Sequence, residues 1–151
     1  MRAAEYAMRD LWGNPSSLHA TGRRAEDALI QARRDVASRF ACEADEVYFT
    51  SGGTEGNNLL ITGAVKALGR RGRRIVTTAI EHASVHEPIK RLETEGYEVI
   101  RLPADKTGRV DEQALRDAVD ASTILVSIMA VNNEVGTVQT AKAAKKAVVA
   151  A

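Results

Sequence analysis

The chain has a single cysteine, Cys42, among its 151 residues. That excludes an internal disulfide and fits a reducing compartment. No sign of charge prevails either: Lys plus Arg number 21 and Asp plus Glu 20, a formal net charge of +1, so nothing argues electrostatically for nucleic acid. The run Arg70-Arg71-Gly72-Arg73-Arg74 falls between a helix pattern and a strand pattern and reads as a solvated connection. No apolar run approaches the roughly 18 residues of a membrane span. The first residues, Met1 to Trp12, mix charges and lack the apolar core of a signal peptide. There is no internal repeat, no His-Glu-x-x-His metalloprotease pattern and no Gly-x-Gly-x-x-Gly dinucleotide fingerprint. The expectation is a cytoplasmic, soluble protein with no metal, no nucleic-acid partner and no membrane partner. A hydrophobic share of 44% is enough to give such a chain one real core.

What is present is an alternation. Glu5 to Trp12 reads as the end of a helix, broken by Gly13-Asn14-Pro15 because Pro15 disfavours helix at Asn14. From Leu18 to Ala41 the apolar positions Ala25, Leu29, Ala32, Val36 and Phe40 recur at helical spacing. The pattern then predicts a strand over Glu46–Thr50, a helix over Thr54–Leu68, a strand over Arg74–Ile80 and a helix over His82–Glu95. It continues with a strand over Tyr97–Leu102, a turn at Asp105–Arg109, a short helix over Asp111–Val119 and an apolar strand over Ser122–Val131. A last helix is expected from near Val138, in a tail from Thr140 onward that is rich in Ala and Lys. This order predicts an α/β fold of three layers, a mostly parallel sheet with helices on both faces.

In such sheets ligands sit beyond the carboxyl ends of the strands. Ser51-Gly52-Gly53-Thr54-Glu55-Gly56-Asn57-Asn58 lies where the first strand gives way to a helix. Free N–H groups at a helix start attract an anion, Gly52 and Gly53 allow close approach, and Thr54 adds a hydroxyl. The next strand ends in Glu81-His82, and the last in Asn132-Asn133-Glu134. A phosphate cradle, an imidazole and a carboxamide are thus expected to face one crevice. Read singly, Thr54 is an N-cap, His82 a first-turn residue and Asn132-Asn133 turn chemistry. His19 reads as a cap or packing residue in the Asn14 to Gly22 turn. Glu134 is an acid or base, or the residue that holds the Asn133 loop. His82 and His86 share one helix face at metal-ligand spacing, but the flanking pattern of a metal site is missing.

Four motifs in order carry a family resemblance: Asn14-Pro15-Ser16-Ser17-Leu18-His19 with Gly22, Tyr48 through Asn58, Glu81-His82, and Ser127 through Gln139. Together they resemble the cysteine desulfurases, in the class V aminotransferase group of fold type I pyridoxal-phosphate enzymes. The resemblance implies that residues 1–139 are part of the large domain of such an enzyme, with 140–151 an unmatched tail. It implies pyridoxal 5'-phosphate as cofactor, its phosphate on Gly53 and Thr54, His82 against the ring as a catalytic residue, and Asn133 near the phenolic oxygen. The implied reaction removes sulfur from L-cysteine, giving alanine and an enzyme persulfide. A homodimer and a sulfur-acceptor protein are the implied partners, and iron–sulfur cluster assembly is one pathway that such sulfur serves.

The family's Ser-x-His-Lys segment, its Asp-x-x-Gln segment and its persulfide-forming cysteine have no counterpart in this sequence. Cys42 stands before the first strand and reads as a small packing residue. The expectation is a piece of the family pattern lacking both ends. Alone it is expected to be inactive and, with an uncovered sheet edge, poorly soluble. The alternative is a non-catalytic remnant or interaction module of the same fold.

Overall fold

The computed structural model describes residues 2–139 and 141–150. The chain divides into two compact units, Met1–Phe49 and Thr50–Ala151.

The first unit is helical. Helix α1 spans Arg2–Asp10 and α2 spans Ala20–Phe40, followed by a 3-10 turn at Ala44–Glu46. His19 caps α2: its Nδ1 accepts the Gly22 N–H at 3.2 Å. Gly22 is buried, and a Cβ there would run into the Ser17 and Asn14 carbonyls. This turn therefore needs glycine for space. The strand expected over Glu46–Thr50 is not formed. Glu46 closes the 3-10 turn instead, and residues 47–50 make no ladder among the described residues. A strand needs a neighbour for its N–H and C=O groups, and no described strand pairs with this segment.

The second unit realises the predicted α/β layers. Its elements are α3 (Gly53–Leu68), β1 (Arg74–Thr78), α4 (Ala83–Thr94), β2 (Glu98–Leu102), α5 (Glu112–Ala118), β3 (Thr123–Ser127) and α6 (Ala141–Ala150). The sheet order is β2-β1-β3, and both pairings are parallel. Ile75 pairs with Val99 and Leu125, and Val76 pairs with Ile100 and Val126. Because successive side chains point to opposite faces, Ile75 and Val76 enter different cores. Ile75 packs with Ile61 and Val65 of α3 and with Val85, Ile89 and Leu92 of α4. Val76 packs with Leu102, with Leu115 of α5 and with Ala143 of α6. β1 is central and covered on both faces, and its β-branched run Ile75-Val76-Thr77-Thr78 is buried throughout.

Two boundaries differ from the sequence reading for one reason. The strand expected to reach Val131 ends at Ser127, and the helix expected near Val138 begins at Ala141. Between them Val131 and Val138 form an antiparallel bridge, and the Gln139 N–H bonds the Ala130 carbonyl at 2.9 Å. The backbone groups that would extend strand and helix close this hairpin instead. Gln139 fastens it to the preceding loop, accepting from the Val110 N–H at 3.1 Å and donating to the Gly108 carbonyl at 2.5 Å. Thr140, where the tail was expected to start, lies outside the described residues. The rest of the tail forms α6, which buries Ala143 and Ala147 one helical turn apart.

Candidate active site

The carboxyl ends of β1 and β3 are joined by side chains rather than by ladder. Glu81 follows β1, and its Oε1 accepts from the Thr78 hydroxyl and from the Met129 N–H, both at 2.8 Å. Asn132, buried at 8% exposure, donates from Nδ2 to the Ile80 carbonyl at 3.2 Å. Its Oδ1 accepts from the Glu134 and Val135 N–H groups at 2.9 and 3.0 Å. The Asn133 loop is thus shaped by Asn132, while Glu134 takes part through its backbone. The sequence presents Glu81 and Asn132 as polar residues at strand ends but gives neither this bracing role, and each adjoins a residue that is a candidate for the site. Their signal was adjacency alone, an acid and an amide placed directly beyond apolar strand runs.

His82 is the N-cap of α4. Its Nδ1 accepts the Ser84 N–H at 3.1 Å and lies 2.9 Å from the Ser84 hydroxyl. Ser84 is buried and also accepts from Asn57 Nδ2 at 2.8 Å. The ring itself is exposed and forms the wall between two grooves. One, of about 540 Å³, is lined by Thr54, Asn58, His82 and Glu87 among others. The other, of about 950 Å³, includes His82, Lys106, Asn132 and Asn133. The three elements expected in one crevice are distributed over these two, with the imidazole shared. His86 turns back toward the Ala79 carbonyl, 3.5 Å from its Nε2. Among the described residues no three potential metal ligands gather.

Helix α3 opens without a side-chain cap. Gly52 occupies the N-cap, and its carbonyl accepts from the Gly56 N–H at 3.1 Å. Among the described residues no acceptor is recorded for the Gly53, Thr54 and Glu55 N–H groups. A Cβ built at Gly52 or Gly53 would meet nothing within 4 Å, so the space before this helix is open. Glu55 does not cover these amides. Its Oε2 folds back to accept the Ser51 N–H and the Ser51 hydroxyl, both at 2.6 Å. Those two donors, the hydroxyl first, hold its carboxyl below the ordinary carboxylate range. The turn is therefore anionic at one carboxylate yet leaves three N–H dipoles directed outward.

The fold, a parallel sheet flanked by helices, defines an α/β protein, and the candidate site lies at the carboxyl ends of its strands, where ligands sit in such sheets. The family model of the class-V aminotransferases matches residues 1–150, and the chain belongs to that family. It is 51% identical over 132 residues to a NifS/IcsS protein homolog of Lactobacillus delbrueckii subsp. bulgaricus, covering 87% of this chain and 34% of that protein. It is 44% identical over 132 residues to the cysteine desulfurase IscS of Dictyoglomus turgidum, with the same shares covered. A solved structure of a NifS-like protein superposes with a TM-score of 0.89 at 38% identity, over 95% of this chain and 40% of that one. The chain spans about a third of the length of the curated relatives it matches.

Proposed function

We propose that this chain supplies the phosphate-binding and ring-facing part of a pyridoxal-phosphate-dependent cysteine desulfurase. The observation that carries the proposal is His82, held at the wall between the groove of Thr54 and the groove of Asn133. The residues fit the cofactor: an uncapped helix start with open space before it suits a phosphate. When bound, pyridoxal phosphate supplies an electron sink for the α-carbon of an amino acid. Gly53 and Thr54 would hold its phosphate through first-turn N–H groups, with the Thr54 hydroxyl as a further donor. His82 would face the ring and carry a proton at Nε2. Asn133 would orient the cofactor and the incoming amino acid. L-cysteine as substrate is carried over from relatives named as cysteine desulfurases; a sulfur-acceptor protein, a homodimer and a place in iron–sulfur cluster assembly belong to the same proposal for the whole protein. Among the described residues no helix is long and apolar enough to cross a membrane.

The family's lysine segment is not in this sequence, so binding by this chain is non-covalent at that position. Titration of pyridoxal 5'-phosphate into the ¹⁵N-labelled protein should shift the Gly53 and Thr54 amides and the His82 ring. Thr54→Ala should weaken binding by about ten- to a hundredfold, the worth of one charge-assisted hydrogen bond. Binding that leaves these three residues unmoved overturns the proposal, as does no binding. The chain by itself, given cysteine and cofactor, should release no alanine above the cofactor-only control.

A further inference from the structure

The His82 ring is not free to choose which nitrogen carries its proton. The Ser84 N–H is aimed at Nδ1 from 3.1 Å, and an N–H can only donate. Nδ1 is therefore the acceptor, and the neutral ring carries its proton on Nε2. The Ser84 hydroxyl stands 2.9 Å from the same nitrogen. A hydroxyl can give or take, and Asn57 sets its direction here. Asn57 Nδ2 donates to Ser84 Oγ at 2.8 Å, so that oxygen is already an acceptor and its proton is turned toward Nδ1. Ser84 is 8% exposed and Asn57 half-buried, which limits competition from water.

We infer that Asn57 and Ser84 form a positioning relay that pins the orientation and tautomer of His82, so that the ring presents Nε2–H to the grooves. The functional meaning of the relay rests on the ring-facing role proposed for His82. Asn57 lies on α3, the helix whose first turn would hold the phosphate. One helix thereby places the phosphate donors and, through Ser84, the ring that faces the cofactor. Neither side chain touches the reacting atoms, and both act through His82.

The test reads the tautomer directly, with no cofactor added, from the two imidazole nitrogens of the ¹⁵N-labelled protein at a pH where the ring is neutral. The wild type should show the Nε2–H form. In Asn57→Asp the carboxylate takes the Ser84 proton, and the Nδ1–H share should rise about fivefold, the change one net hydrogen bond makes in a two-state ratio. Ser84→Ala should move it the same way, and Ser84→Thr should restore the wild-type signature. Ser84→Ala keeps a good helix former, so the relay stays testable if Asn57→Asp fails to fold. An unchanged tautomer ratio in Ser84→Ala, or Ser84→Thr behaving like Ser84→Ala, overturns the relay. Pyridoxal 5'-phosphate is then added to the wild type. No binding with the wild-type tautomer signature intact counts against the proposed function. Binding with an insensitive tautomer ratio counts against the relay alone.

Discussion

The two halves of the candidate site are built in opposite ways. At the junction of β1 and α4, Glu81 is held by the Met129 N–H beyond β3, the Ile80 carbonyl by Asn132 of the hairpin loop, and Ser84 by Asn57 of α3, with His82 fixed through Ser84. At the start of α3, the turn is held by one carboxylate of its own helix, Glu55, reaching back four residues to Ser51. The first is fixed by long-range contacts and exists before any ligand arrives. The second keeps its N–H groups outward and depends on a short exposed link. A group that stacks on a ring and a group that accepts an ion need these different supports. A ring must be aimed, while an anion is drawn in by dipoles that need only be left open.

The largest expected effect comes from breaking the braced half. Thr78 is fully buried and the Met129 N–H is half-buried, so Glu81→Ala strands two donors. Denaturant unfolding should show a loss of about 2–6 kcal/mol, from about 1–3 kcal/mol per orphaned group. Glu81→Gln keeps an acceptor oxygen and should cost only about 1 kcal/mol. Equal losses in the two variants would mean that the brace is not what holds the strand ends together.

A smaller contrast separates the neighbours Asn132 and Asn133. Asn132 makes three hydrogen bonds to backbone groups, and its replacement by Ala should cost about 2 kcal/mol. The Asn133 side chain is exposed and has no recorded hydrogen bond among the described residues. Asn133→Ala should stay within about 0.5 kcal/mol in stability while weakening ligand binding. If both variants destabilise equally, Asn133 is structural and the assignment of a binding role to it fails.

These pairs mark what was legible in the sequence. The β-branched run Ile75-Val76-Thr77-Thr78 announced a strand, and His19 a cap or packing residue, because both follow from local pattern. The segment Val47-Tyr48-Phe49-Thr50 has the same apolar look but forms no strand here, since propensity cannot supply a ladder partner. Glu81 reaches Met129 across 48 positions and Asn132 reaches Ile80 across 52. Only the parallel register of β1 and β3 brings those groups together, and no local pattern encodes it. Ser84 and Asn57, 27 positions apart, are joined only by the packing of α4 against α3, which local pattern does not encode either. Thr77 keeps a buried hydroxyl without a partner among the described residues, and nothing in the structure explains it.

The smallest effect concerns the open half and tests its dependence on Glu55. The folded protein holds this carboxyl below its ordinary value. Its contribution is therefore fully present above the ordinary carboxylate range and is lost as pH falls through the lowered value. On acidification the Ser51 amide resonance should follow Glu55 and report release of the turn, and in Glu55→Gln that titration should vanish. Glu93 gives an internal contrast. Its carboxyl is also held low, but by the Arg101 guanidinium, at 3.0 and 2.7 Å. Added salt screens an exposed ion pair more than it weakens bonds from neutral donors. The Glu93 midpoint should accordingly rise with ionic strength while that of Glu55 holds nearly still. A Glu55 midpoint that rises in step with that of Glu93 would show that charge, rather than the Ser51 donors, governs the turn. The α3 start would then be expected to lose anion affinity with salt for a reason other than competition at its N–H groups.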